Sequence, residues 1–290
     1  MNAKAGDRTV DIIINIVIFA ALALCLIPFL HILSISLSSN RAIMSGEVTI
    51  YPIELSMQAF KKVLEDVSMI RSMGFTVALT MLYTVSCMFM SVIAAYPLTK
   101  PNLRGRKFFM LLIVVTMFFS GGIIPEYILI KQLHLMNTMW ALILPLLISP
   151  FNLIILINFF KSIPDSLHES AEIDGASHFR VLWQIVVPLS LPVIATLSLF
   201  YAVNRWNGFM DTLFYITNPN LYPLQLKLYQ LVMNNMANDL MQLEGNQVVQ
   251  FLPESLKAAS VMFATIPILL VYPWLQRYFV SGIMLGAVKG

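Results

Sequence analysis

The chain has 290 residues, of which 58% are hydrophobic and only 11% charged, with a net charge of +3. A soluble domain carries about 25% charged residues, so this composition excludes an ordinary soluble protein and points to an integral membrane one. The small positive charge contains no basic cluster that would suit nucleic acid.

The opening MNAKAGDRTVD has a positive start followed by a long apolar run. The run lacks a small-residue cleavage site and is too long for a signal segment, so it reads as a retained span. Nearly charge-free runs predict six helical spans, each near the twenty residues needed to cross a bilayer. They are Ile12–Leu33, Met73–Leu98, Phe108–Ile130, Met139–Phe160, Leu189–Arg205 and Ala258–Gln276. Cys25 and Cys87 both fall inside such runs, where a structural disulfide is not expected. Lys and Arg in the short loops orient the chain. Lys100, Arg104, Arg106 and Lys107 lie between the second and third spans, Lys161 and Arg180 between the fourth and fifth. Lys4, Arg8, Arg277 and Lys289 flank the outermost spans on that same side, which is therefore cytoplasmic, with both termini inside.

Two longer segments lie outside. In 34–72, the spacing of apolar residues over Met57–Leu64 predicts a local helix. In 207–257, Leu224, Leu228 and Leu231 suit one helical face, and Pro, Asn and Gly punctuate the rest. That segment is too long for a mere connector and reads either as a lid or as a docking surface for an extracellular partner. Prolines in or beside the spans, among them Pro97, Pro145 and Pro150, fit bent helices.

The fifth span ends in Tyr201, Asn204, Arg205, Trp206 and Asn207. Aromatic faces, amides and a guanidinium suit a carbohydrate path. An interfacial belt anchoring the helix end explains the same residues. His31, His134, His168 and His178 are scattered and form no ligand set. No phosphate-binding loop is present, so energy for transport must come from a partner or an ion gradient. Mid-span ionisable residues are almost lacking, which argues against a proton- or sodium-coupled carrier.

Residues 163–192 form a polar island. Asp165, Glu169, Glu172 and Asp174 fall within ten residues, with apolar runs on both sides. At about 2.5–3.5 kcal/mol per charge, they do not belong in a bilayer core. The island is therefore a loop, and a folded one. Ser166 and Glu169 fit a capping box behind Pro164, predicting a short helix from near Leu167. Gly175 suits its left-handed end. Ser177 suits the cap of a second short helix through Val187, and Pro188 and Pro192 mark re-entry.

Glu169-Ser170-Ala171, Asp174-Gly175-Ala176, Ile185 and Pro188 together resemble the EAA loop of permease subunits in binding-protein-dependent ABC importers. Ser170 departs from the family's alanine but is small enough to keep the helix surface flat. The stretches GDRTVDIIINIV, LSISLSS, YPLQLKLY and QRYFVSGIMLGAVKG extend the resemblance to carbohydrate-importer permeases, MalG-like and LplC-like, over nearly the whole chain.

The resemblance implies an all-α membrane protein with the type I importer (MetI-like) fold. The chain would be a single permease domain, with its core at 72–276, the coupling loop at 163–188, the outer loop at 207–257 and a tail at 277–290. It also implies a second permease subunit, an extracytoplasmic solute-binding protein and two ATPase subunits that hold ATP and Mg, with no cofactor on this chain. In such an assembly the 163–188 loop docks into an ATPase cleft. Glu169 contacts or caps the docking helix, Gly175 allows its turn, and Gly282–Gly290 lies against the ATPases. The LplC-like features imply oligosaccharides, uronate-containing ones such as alginate fragments included. An autonomous six-span channel or secondary transporter with a regulatory acidic loop is the competing reading. A membrane enzyme lacks a catalytic set.

Overall fold

A computed structural model describes residues 5–243 and 254–287, and every regular element among them is helical. In chain order these are α1 (Ala5–Ser36), α2 (Asn40–Met44), α3 (Gln58–Glu65), α4 (Val67–Thr99), α5 (Arg106–Phe118) and α6 (Ile123–Gln132). Two 3-10 turns, Met139–Leu142 and Leu144–Leu146, lead into α7 (Pro150–Lys161). Then come α8 (Asp165–Ile173), α9 (His178–Val181), a π turn (Leu182–Val186), α10 (Val187–Leu189), α11 (Leu191–Asn207), α12 (Met210–Tyr215), α13 (Leu224–Leu243) and α14 (Glu254–Ala287). The expected helix in 57–64 is α3, and Leu224, Leu228 and Leu231 lie on α13. Of the sequence features named above, Lys4, Lys289 and the part of the outer segment at 244–253 fall outside the described residues.

Three single helices and three bent helix pairs make up six spans when each pair counts as one, and the bends agree with the prolines noted in or beside the spans. Val10–Ser36, Val67–Thr99 and Glu254–Val271 are continuous apolar helices. The third span, expected as Phe108–Ile130, is instead α5 and α6 meeting at 116°. Gly122 holds φ +82° at that reversal, a backbone region open to glycine and costly for other residues. The fourth, expected as Met139–Phe160, breaks by 54° between the 3-10 turns and α7. Pro145 and Pro150 cannot donate to a continuous helix ladder, which is the local cause. The fifth bends by 81° where α10 gives way to α11, with Pro188 and Pro192 on either side. The last helix continues past Gln276 to Ala287, so the segment expected as a tail from 277 begins as helix.

The residues cluster into two compact units. The first comprises 1–70 and 228–267, the second 71–227 and 268–290. In the first unit the LSISLSS run fastens the segment after α1 back onto the helix end. Ser34 Oγ donates to Ile50 O (2.6 Å), and Ser38 Oγ donates to Ser34 O (2.7 Å) while accepting from Ile53 N (3.0 Å). Ser39 caps α2 by accepting from Ala42 N. Between Val10 and Ile27 α1 keeps its apolar side chains exposed, as a helix facing lipid does.

The second unit holds the main core, where Leu79 and Val92 of α4 pack with Leu142, Leu156, Ile157 and Leu197. Its organising problem is the broken fourth span. A break frees backbone groups that hydrocarbon cannot satisfy, so neighbouring side chains must. Leu146 O accepts from Tyr83 Oη (3.2 Å) and Cys87 Sγ (3.5 Å), both on α4. Ser149 N donates to Tyr201 Oη (3.2 Å), which also bonds Ser91 Oγ at 2.9 Å. Ser149 Oγ in turn caps α7 by accepting from Asn152 N. Tyr83 and Tyr201 meet edge-on, with ring centroids 6.0 Å apart.

Tyr201→Phe keeps the ring but removes the oxygen that serves both Ser91 and Ser149. A buried polar group left unpaired costs about 1–3 kcal/mol. The variant should insert normally and lose that much stability, read as a lower unfolding temperature in detergent. An unchanged melting temperature would show that the break does not depend on this hydroxyl.

Candidate coupling loop

Loop 163–188 is folded much as its sequence suggests, with one difference at its start. The first helix, α8, begins at Asp165 rather than near Leu167, and Pro164 is its N-cap with no side-chain cap bond. The Ser166–Glu169 capping box therefore does not form. Pro164 lacks an N–H to satisfy and has φ −56° already set, so the helix starts directly behind it and encloses Ser166. The C-terminal end follows expectation. Gly175 takes φ +72°, Ala176 N donates to Ala171 O (2.9 Å) and Gly175 N to Glu172 O (3.0 Å), which is a Schellman motif. A Cβ on Gly175 would meet nothing within 4 Å, so the demand for glycine here is conformational alone. Ser177 caps α9 by accepting from Arg180 N at 3.3 Å. The second helix then runs through the π turn as far as Leu189, two residues beyond the expected Val187.

The loop has two faces. Ala171, Val181, Leu182 and Val186 are buried in the core of the second unit, and Ala176 and Ile185 pack against it. Alanine at 171 keeps α8 close to that core. The other face is exposed and carries Glu169, Glu172 and Asp174, with Ser170 bonded back to Leu167 O and Pro188 at the far end. Ile173 (86% exposed) and Phe179 (70% exposed) project from this same loop. Sequence reading did not single them out. The available signal was two large apolar side chains inside an otherwise polar island.

His168 ties α8 to the end of α4. Its ring lies 6.4 Å from that of Tyr96, and Lys100 Nζ sits 5.4 Å from the Tyr96 ring centre. Burial, then the Lys100 charge, lower the His168 pKa below its ordinary value of about 6.5. The folded state thus disfavours the imidazolium. Stability from this group is fully present above the unfolded pKa and is lost as pH falls through the folded one. The unfolding temperature should therefore drop between pH 8 and pH 5, and His168→Phe should show a smaller drop. An identical drop in both would exclude His168 as a contributor.

The Tyr201–Asn207 cluster divides into buried and exposed members. Tyr201, Arg205 and Trp206 are buried, while Asn204 and Asn207 are on the surface. The Arg205 guanidinium is committed within the protein. Nη2 donates to Asp211 Oδ1 (2.9 Å) and Gly208 O (3.1 Å), and Nη1 to Leu142 O (3.1 Å) and Asp211 Oδ2. Asp211 also accepts from Thr212 N, and Arg205 stacks over Tyr83 at 5.9 Å. A Cβ on Gly208 would come within 3.0 Å of Arg205 Nη2, so glycine leaves the guanidinium its room. Asp211 was not anticipated, although an acid six residues after a lone arginine was a legible clue. Nearby, burial and then the Glu126 carboxylate push the Tyr215 hydroxyl up to about 12.

Residues 72–284 match the family model described as the binding-protein-dependent transport system inner membrane component. The chain belongs to this family. The permease is 40% identical to protein LplC of Bacillus subtilis (strain 168), across 100% of this chain and 97% of LplC. It is 39% identical to the polygalacturonan/rhamnogalacturonan transport system permease protein YtcP of the same organism, covering 98% of this chain and 99% of YtcP. Among solved structures, a chain of a bacterial ABC transporter involved in the import of the acidic polysaccharide alginate superposes with a TM-score of 0.87. It is 29% identical, over 96% of the permease and 99% of that chain. The helical architecture and the six spans are thus those of an ABC-importer permease, as the sequence resemblance implies.

Asp211→Ala in the permease strips Arg205 of its counter-charge. Breaking a buried pair on one side costs about 3–5 kcal/mol. The variant should accumulate poorly or melt far below wild type in a detergent thermal-shift assay. A wild-type melting curve would contradict the structural role assigned to the pair.

Proposed function

We propose that this permease is one of two transmembrane subunits of an ATP-driven importer for oligosaccharides, uronate-containing chains among them, delivered by a solute-binding protein. The observation that carries the coupling assignment is the two-faced loop 163–188. One face is locked into the core, and the other offers Ile173, Phe179 and a row of acids to solvent. Large exposed apolar groups ringed by charge suit a protein interface. The occupant is an ATPase subunit, which holds the ATP and Mg; this chain binds neither. The Lys and Arg distribution supports an orientation with both termini and this loop on the cytoplasmic side. The outer segment 207–257 then faces the binding protein. Sugars are the cargo named for YtcP and for the alginate importer, which supports the substrate class.

Mechanically, closure of the ATPases pulls on α8. Its inner face carries His168 and Ala171, so the pull reaches the end of α4 through Tyr96. Through Gly175 and the π turn it also reaches α10 and the bent start of α11. Glu169, Ser170 and Asp174 contact the cleft, while Ala171, Ala176 and Ile185 keep the loop seated and Pro188 marks its return to the membrane. Along the sugar path, the exposed amides of Asn204 and Asn207 are the groups available to hydroxyls. Tyr201, Arg205 and Trp206 shape the helix end that presents them.

Gly175→Asp tests the loop. A side chain at φ +72° carries about 1–2 kcal/mol of backbone cost, and the added charge alters the docking turn. The variant should reach the membrane in normal amount, lose the co-purifying ATPase and abolish uptake. Normal uptake would refute the assignment. Affinity purification of wild type in mild detergent should recover a second permease and an ATPase, and recovery of the chain alone after crosslinking would favour an autonomous transporter.

A further inference from the structure

The first unit contains a polar cavity of about 160 Å³ that no step above uses. Its walls come from the serine-rich turn after α1, from α3 and from the first turn of α14. Those chain segments follow one and five spans respectively. Both therefore lie on the outer side in the proposed orientation, where an importer is loaded. The volume is far above the ~10–15 Å³ that one water needs, and below the ~300 Å³ of pockets for drug-sized ligands. One sugar unit matches that range.

The floor is preorganised. Ser38 is 2% exposed and Ser255 5%, and both hydroxyls are already engaged. Ser38 Oγ spends its donor on Ser34 O and accepts from Ile53 N, while Ser255 Oγ donates to Asn40 Oδ1 at 2.6 Å. That last bond fixes the Asn40 carboxamide, whose Nδ2 group has no hydrogen bond among the described residues. The rim adds the Gln58 amide, the Ser56 hydroxyl and the Lys62 ammonium. Among the described residues Lys62 is the only charged side chain lining the cavity. Neighbouring charges are paired elsewhere: Lys61 with Glu65 and Arg41 with Glu54. Among the described residues Lys62 makes no ion pair. The Glu54 carboxylate, which accepts from the lining Ser39 hydroxyl, is paired with Arg41, so a cation without an ion pair beside amide and hydroxyl donors suits an anion that also carries hydroxyls.

We propose that this cavity is an outer-face subsite for one carboxylated sugar unit of the incoming chain. Lys62 pairs with the carboxylate, and Asn40, Ser56 and Gln58 hold ring hydroxyls. The proposal rests on the oligosaccharide-import reading and adds to it a selection for acidic units made by this subunit.

The test uses the permease with its co-purifying subunits in nanodiscs, and radiolabelled trigalacturonate or its methyl ester as probe. Equilibrium binding is measured alongside cellular uptake of the same compounds. Wild type should bind the acid, and Lys62→Met should weaken that binding about tenfold, the loss expected for one charge-assisted bond. Binding of the neutral ester should not change, Lys62→Arg should retain most affinity for the acid, and Gln58→Ala should weaken both probes. Unchanged acid binding in Lys62→Met and Gln58→Ala, with uptake intact in wild type, would overturn the subsite and leave the import reading standing. Absence of both binding and uptake in wild type would remove uronate import and the subsite with it.

Discussion

The second unit is built around a backbone defect. The fourth span turns irregular from Met139 and breaks between Leu146 and Pro150, and a membrane protein tolerates such a stretch only where other groups take over the freed carbonyls and amides. Here α4 and α11 supply them: Tyr83 and Cys87 on one side, Tyr201 and Arg205 on the other. Arg205 could not serve Leu142 O alone, since an unpaired guanidinium at 3% exposure would carry a large desolvation cost. Asp211 supplies the counter-charge, and Gly208 leaves the space. A break in one helix thereby dictates the chemistry of residues more than fifty positions away.

The same logic bears on the coupling role proposed for loop 163–188. A loop held only by its ends would yield when pulled. This one is packed through Ala171, Val181, Leu182 and Val186, and His168 rests against Tyr96 at the end of α4. Its helix termini are satisfied locally, by the Schellman pair at Gly175 and the Ser177 cap, so α8 and α9 hold their shape while their outer face stays free. The π turn and the 81° bend that follow lie where the loop returns to the membrane. Such irregular turns often mark hinges.

Much of this was legible from local signals. The spans follow from apolar run length, the loop from its acids, and the Gly175 and Ser177 positions from residue types with narrow backbone roles. The capping box at Ser166–Glu169 was the failure among these. Pro164 and Ser166 both mark helix starts two residues apart, and the proline prevailed. The site at the end of α11 was half legible. Its aromatic and basic composition fits a sugar path or an interfacial belt. In the fold, the Arg205 charge is spent inward and only the two amides remain outside.

Sequence alone therefore determined what depends on transfer free energy and local backbone preference: a six-span helical membrane protein with a folded acidic loop, and its family. Those terms act within a window of a few turns, so they can be read along the chain. Tertiary structure decided which spans are bent, which of the loop's residues face the core, and which partner each polar side chain serves. It also brought the turn after α1, α3 and the start of α14 together around one cavity. These outcomes rest on contacts between residues distant in sequence, such as Ser255 with Asn40 and Arg205 with Leu142, for which no local pattern encodes a partner.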